Sequence, residues 1–271
     1  MHMKRVALVI IGLTLGCSVA WADQLADIKS RGVLTCGVFG DLVPLGYQDP
    51  KTRSIVGLDV DVCAAIAEDL GVKLDLKTVS VDARIPSLET GRIDVMTASL
   101  AYTPVRAKQI DFSSAYMNVP VSVLVKKDSG IKSFADLAGK KVSANRGSTS
   151  EVFARQKLTN SEVVSFDNGP ASYLALAQDK VQGMAMVKSA SVGFHNRSNG
   201  QTAFLDEALF WEHDCVGVKK GEPALLAAVN TALDKLESSG RLQTIWDRWY
   251  GQSNEYQLPR EKKVTPASEF E

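Results

Sequence analysis

The sequence predicts an α/β chain with largely parallel sheets, and three observations carry the prediction. Short β-rich apolar runs alternate with stretches of helical period along nearly the whole chain. Such alternation feeds parallel strands through right-handed crossovers. The units are too many for one small sheet, and Lys127-Asp128-Ser129-Gly130 interrupts them midway, which points to a second lobe.

Leu34–Val38 is the first strand, followed by a loop with Pro44 and Tyr47. A helix from Asp59 to Leu70 carries Val62, Ile66 and Leu70 on one face and stops at Gly71. Lys73–Val79 alternates as a strand does, Ile85–Thr90 is a short helix ended by Gly91, and Ile93–Met96 is a buried strand. Thr103-Pro104 then reads as a hydroxyl cap with Pro at the first position of a helix that fades by Gln109. Val119–Lys126 is a β-branched strand, Ser133–Ala138 a small helix and Lys141–Ala144 a strand. Strands over 163–166, 181–187 and 215–218 alternate with helices over 150–158, 169–178, 189–196, 223–238 and 242–250. Residues 252–271, with two prolines and Lys262-Lys263, read as a polar tail of low order.

The 271 residues suffice for two domains, and 45% hydrophobic with 23% charged is an ordinary globular mixture. The formal net charge is zero, so bulk charge selects neither nucleic acid nor membrane as partner. Residues 1–22 have a basic start, an apolar core from Val6 to Val19 and the small-x-small run Ala20-Trp21-Ala22, the pattern of a secretory signal peptide. Gly16-Cys17 raises a lipoprotein alternative, which Thr14-Leu15 fits poorly. Cleavage after Ala22 removes Lys4 and Arg5 and leaves 29 basic against 31 acidic residues, a net of −2. Cys36, Cys63 and Cys215 then remain; Cys36 and Cys63 lie on elements that should pack together, either as a disulfide or as two buried thiols. No Cys/His spacing suits a metal, and no motif demands a cofactor.

Ligands in open α/β sheets bind beyond the carboxyl ends of strands. Two loops qualify, Thr97–Arg106 and Arg146–Ser150, each a strand end, a small-residue turn and a helix start. Arg106 brings a planar fork for a carboxylate, and a helix start adds free N–H groups. Facing across one cleft, the loops would clamp a small anion from both sides.

Several motifs then fall in one order. They are Gly57-Leu58-Asp59-Val60-Asp61, Ile85-Pro86-Ser87-Leu88, Gly91-Arg92-Ile93-Asp94, Thr103-Pro104 with Arg106, and Asp111-Phe112-Ser113 with Tyr116. Asp136-Leu137-Ala138-Gly139-Lys140, Gly147-Ser148-Thr149 and the closing Trp246…Trp249-Tyr250-Gly251 follow. Over residues 30–251 the chain resembles the periplasmic solute-binding proteins that serve polar amino-acid ABC importers. The resemblance implies a type II periplasmic-binding-protein fold, two α/β lobes joined by two crossing strands. Lobe one would be 30–125 plus 217–251, lobe two 126–216, with the crossings near Val121–Lys126 and Cys215–Lys219. It implies a monomeric periplasmic receptor, without catalysis, that closes on its ligand and docks on a membrane permease. Arg106 would grip the α-carboxylate, Ser99 and Ala101 would supply loop contacts, and Thr149 with Ser148 the second-lobe contact.

Arg84-Ile85-Pro86, and Cys215 shortly before Lys219-Lys220, look like the glutamate/aspartate-binding branch, where Arg84 and Arg146 could meet a second carboxylate. One position departs from the family. Val187 stands where an Asp usually pairs with the ligand's ammonium, and Lys188 follows it. A buried ammonium without a partner costs several kcal/mol, so either another acid such as Glu151 substitutes or the ligand is a dicarboxylate or keto acid. The alternative on this fold is a cyclohexadienyl or arogenate dehydratase, which would need a buried acid such as Glu151 or Asp214.

Overall fold

The computed structural model describes residues 23–270, so the signal-peptide reading of residues 1–22 lies outside the described residues. An eight-stranded mixed sheet runs through the molecule in the order Lys73–Thr78, Val33–Val38, Val95–Met96, Thr202–Lys219, Ile110–Lys126, Gly183–Val187, Lys141–Asn145, Glu162–Phe166. The outer strands at each end pair in parallel, as alternation with helices requires. The two central strands are antiparallel to each other.

Those central strands are much longer than their apolar runs suggest. The sequence marks strands at Val119–Lys126 and around Cys215–Val218, whereas the structure has 17 residues in Ile110–Lys126 and 18 in Thr202–Lys219. Pro120 and a run of polar residues hide the continuity, yet pairing persists along both with irregular steps near Ala208 and Cys215. A second strand beside each keeps the backbone bonded where side-chain alternation lapses.

Helices cover the sheet where their apolar faces require it. Leu58–Leu70 buries Val62, Cys63, Ile66 and Ala67; Pro223–Ser238 buries Leu225, Val229, Leu233 and Leu236. Both match the sequence reading within a residue or two. Gly57, at φ +148°, begins the first of these; a Cβ there would come within 2.1 Å of the Leu45 carbonyl oxygen. Cys36 and Cys63 form a disulfide between the first strand and this helix, while Cys215 is a buried free thiol. A second, smaller apolar cluster is built around Val121, Val123, Val142, Leu137 and Leu209.

Three expectations are corrected. The stretch after Thr103-Pro104 is one 3-10 turn, Arg106–Lys108, and Ser133–Ala138 is likewise reduced to Ala135–Leu137. The residues after each turn enter a strand or an extended segment before a second helical turn can form. The tail is not loose: Thr265 exchanges backbone hydrogen bonds with Ala115, and Arg260 pairs with Glu237 beneath it. Two elements had no clear sequence signal, the helix Gln24–Arg31 and a three-stranded sheet of Asp41–Leu42, Gly46–Gln48 and Ile55–Val56.

Candidate functional site

The turn after Val95–Met96 carries the site's first wall. Ala98 and Ser99 stand at φ +32° and +44°, a left-handed backbone that side chains disfavour. The turn is held from two sides. Nη1 of Arg84 donates to the Ala98 and Ser99 carbonyls at 3.0 and 2.7 Å, and Ser99 N–H donates to Asp59 Oδ2 at 2.9 Å. Arg84 Nε is also engaged, on the Val81 carbonyl at 2.9 Å. The following residues are stitched to the second long strand through Cys215 N–H to the Leu100 carbonyl and Tyr102 N–H to the His213 carbonyl.

Arg106 leaves its 3-10 turn with the Thr103 hydroxyl accepting from its N–H, so the cap read from the sequence is made. Its Nη1 donates to the Ala101 carbonyl at 2.8 Å. Nη2 reaches the Gly147 carbonyl at 3.1 Å, in the other predicted loop. The two loops therefore meet. In that loop Ser148 caps the helix Thr149–Lys157, accepting from Glu151 N–H and donating to the Asn145 carbonyl. Thr149, nearly buried, donates its hydroxyl to Glu212.

A cavity of about 40 Å³ lies between the walls, bounded by Arg84 and Ser99, by Asn145, Ser148 and Thr149, and by Val187 and Glu212. It adjoins a space of about 380 Å³ that shares Phe39, Leu42, Val81 and Asn145 and adds Asp41, Asp167 and Asn168. Arg106 does not line the cavity; it bonds Gly147, the residue before Ser148 of its wall.

Sequence reading missed Glu212 here and named Asp214 only as a candidate dehydratase acid. Glu212 and Asp214 are on one face of the second long strand and are buried. Burial raises the Glu212 carboxyl to about 7, with Arg106 and Arg84 pulling it back. Burial, then the neighbouring Glu212 and Asp59, push Asp214 well above its ordinary value, and its Oδ2 is buried without a partner. Asp59, under Tyr116 and Ser99, is raised by burial to about 7. Burial and the nearby Arg106 lower Arg84 to about 9, and burial lowers Arg106. Alternation in Trp-Glu-His-Asp could have flagged the pair, but the register that aims it needs the sheet.

The remaining expected residues separate. Arg146 is exposed and pairs with Asp167 at 3.5 Å. Lys188 lies over the Phe204 ring at 5.5 Å. Glu151, the proposed substitute acid, is occupied by Gly147 N–H, Ser165 and Arg155; burial raises it, but these partners hold it below its ordinary value. Among the described residues no group of three or more His, Cys, Asp or Glu suits a metal, and no helix is long and apolar enough to cross a membrane.

The model of the bacterial extracellular solute-binding proteins, family 3, matches residues 34–252. The chain belongs to that family. It is 31% identical over 258 residues to the L-cystine-binding protein TcyJ of Escherichia coli (strain K12), covering 92% of this chain and 97% of that protein. It is 34% identical over 232 residues to the ABC transporter glutamine-binding protein GlnH of Bacillus subtilis (strain 168), covering 84% of each. The solved structure of the ancestral amino acid-binding protein AncCDT-1, a precursor of cyclohexadienyl dehydratase, superposes with a TM-score of 0.78 at 30% identity, over 83% of this chain and 99% of that one. The fold is that of the type II periplasmic binding proteins, and the chain is a solute-binding component of amino-acid ABC transport.

Proposed function

We propose that the protein is a monomeric periplasmic receptor that holds the ligand's α-carboxylate on Arg106 and hands it to an inner-membrane permease. The observation that carries this is the pair of hydrogen bonds from Arg106 to Ala101 and Gly147, one in each loop. Opening the cleft frees Nη2 from a neutral carbonyl. A ligand carboxylate then takes its place in a stronger, charge-assisted bond. Closure follows because the second loop regains its contact through the ligand. In this reading residues 30–125 with 217–251 move against 126–216, bending in the long strands.

The acidic-ligand expectation rests on Arg84 and Arg146, whose guanidinium groups already hold protein partners, the carbonyls of Val81, Ala98 and Ser99 and the carboxylate of Asp167. The relatives bind chemically different amino acids, cystine and glutamine by name, so membership selects the α-amino-acid head and leaves the side chain to the pocket. The dehydratase alternative has buried acids in Glu212 and Asp214. The relatives are binding proteins by name.

The test is a thermal-shift panel of L-glutamine, L-cystine, L-arginine, L-glutamate and L-aspartate. A ligand at 100 times its dissociation constant stabilises the fold by ~2.7 kcal/mol. At least one should raise the wild-type midpoint, and Arg106→Ala should abolish the rise while melting normally alone. A variant that keeps the rise removes Arg106 from the clamp; a wild type that answers none removes the transport reading.

A further inference from the structure

Val187, at the strand end that lines the cavity, offers a ligand's amine no partner. The sheet supplies one from another strand. Val121 is the register partner of both Val187 and Phe210, on the two strands that flank it. Glu212 is two residues beyond Phe210, which returns it to the face that Val187 occupies. Val187 and Glu212 accordingly line the same cavity.

We infer that Glu212 is the counter-ion for the ligand's α-ammonium, and that the site takes amino acids whose side chains carry no net negative charge. This rests on the amino-acid-receptor reading above.

Three observations support it. Thr149 donates to one carboxylate oxygen of Glu212, fixing the group in the cavity wall beside the second loop. Among the described residues, no ion pair within 4.0 Å involves Arg84, Arg106, Glu212 or Asp214, although all four are gathered there. Opposite charges that face without touching leave room for a zwitterion, whose carboxylate meets Arg106 and whose ammonium meets Glu212. The third is where the other cations stand. Arg84, in the wall of the first cavity, spends Nε and Nη1 on the Val81, Ala98 and Ser99 carbonyls, Arg146 pairs with Asp167, and Lys188 stands over Phe204. The adjoining space that would take the side chain is lined by Asp41, Asp167, Asn145 and Asn168 among apolar residues, with no cationic side chain among the described residues of its wall. A second carboxylate would be buried there unpaired.

Titration calorimetry on the wild type decides it. The probes are the five amino acids of the panel with their desamino analogues: glutaramate, 3,3′-dithiodipropionate, 5-guanidinopentanoate, glutarate and succinate. The best ligand should have a side chain without net negative charge, cystine included, and its desamino analogue should bind about 100-fold more weakly, as loss of a buried charge partner implies. Glu212→Gln, nearly isosteric, should weaken the amino acid about 100-fold and shrink the gap to its analogue to about threefold. Equal binding of amino acid and analogue by the wild type overturns the assignment, with or without a foldable variant. So does a Glu212→Gln protein within threefold of the wild type. Glutamate or aspartate as best ligand overturns the side-chain part. Failure of the wild type to bind any amino acid instead removes the receptor reading, a different result from binding that ignores Glu212.

Discussion

Arg84 and Glu212 share one cavity wall. Arg84 looks like a ligand contact and also secures a left-handed turn there, whereas Glu212 sits in an unremarked strand and faces the same cavity. The buried acids give the ligand-free protein a definite pH response. Burial holds Glu212 and Asp59 protonated up to about 7, above their ordinary 4.5 and 3.8, and Asp214 is also raised. The folded chain therefore binds more protons than the unfolded one between about pH 5 and 7, and stability falls as pH rises through that window. His195, lowered by burial and by Lys188, opposes this as a single group. The acids lowered by their partners, such as Asp49 and Glu237, lose their contribution at pH below this window. Ligand affinity has the opposite sign, because the ammonium needs Glu212 ionised. Affinity should rise with pH and then level off, changing about tenfold per unit below about pH 7. Glu212→Gln should flatten that profile. Calorimetry at about pH 5.5 and 8 checks both signs; a wild-type affinity that does not move separates Glu212 from the ligand. The two loops that hold Arg106, Ser99, Ala101, Ser148 and Thr149 could be read in the sequence because local strand–turn–helix chemistry marks them. Glu212 could not, since its role depends on a register with Val119 and on Thr149 from a distant helix.

Among the elements, strand and helix positions with a strong period were legible to within a residue or two, as in Pro223–Ser238. Elements defined by partners were not. The disulfide ties strand Val33–Val38 to helix Leu58–Leu70 across 27 residues, a closure that removes about 3–4 kcal/mol of chain entropy from the unfolded state; sequence left it open because pairing needs a distance. The tail is the larger omission. Its polar, proline-bearing sequence has no period, but the folded core offers it sites. Trp246 Nε1 donates to the Leu258 carbonyl, Glu237 accepts from Arg260 and from Val264 N–H, and Asn118 donates to Thr265 Oγ1. Phe270 stacks on His213 at 4.7 Å and leans on Tyr102 at 5.0 Å, behind the strand that carries Glu212. Ending the chain at Gly251 removes these bonds and exposes the aromatic faces. It should cost about 3 kcal/mol, a few net hydrogen bonds plus apolar area, read as a fall of several degrees in the melting midpoint. An unchanged midpoint would show that the tail contributes nothing to the fold.

At the scale of the whole molecule, the two loops stand in the closed relation that the proposed hinge motion would produce. Arg106 spans them, and a Cβ on Gly147 would lie 3.8 Å from the Cβ of Asp82, at the opposite rim. That spacing suits a disulfide, whose Cβ atoms are normally about 3.8 Å apart. The double variant Asp82→Cys/Gly147→Cys therefore reports closure. Replacing Gly147 costs about 1 kcal/mol or more, because its backbone is left-handed at φ +71°; this lowers the yield without moving the rims apart. Among the described residues the native thiols do not compete, since Cys36 and Cys63 are paired and Cys215 is buried. An open ligand-free state should cross-link slowly under mild oxidant. Saturation with the best amino acid should speed the reaction, because the ligand joins Arg106 to the second loop. Once linked, the protein should hold that amino acid against dilution and release it on reduction. Equal cross-linking with and without ligand, together with free exchange from the linked form, would show that these rims do not close over the ligand. Binding would then occur in a cleft that is fixed before the ligand arrives.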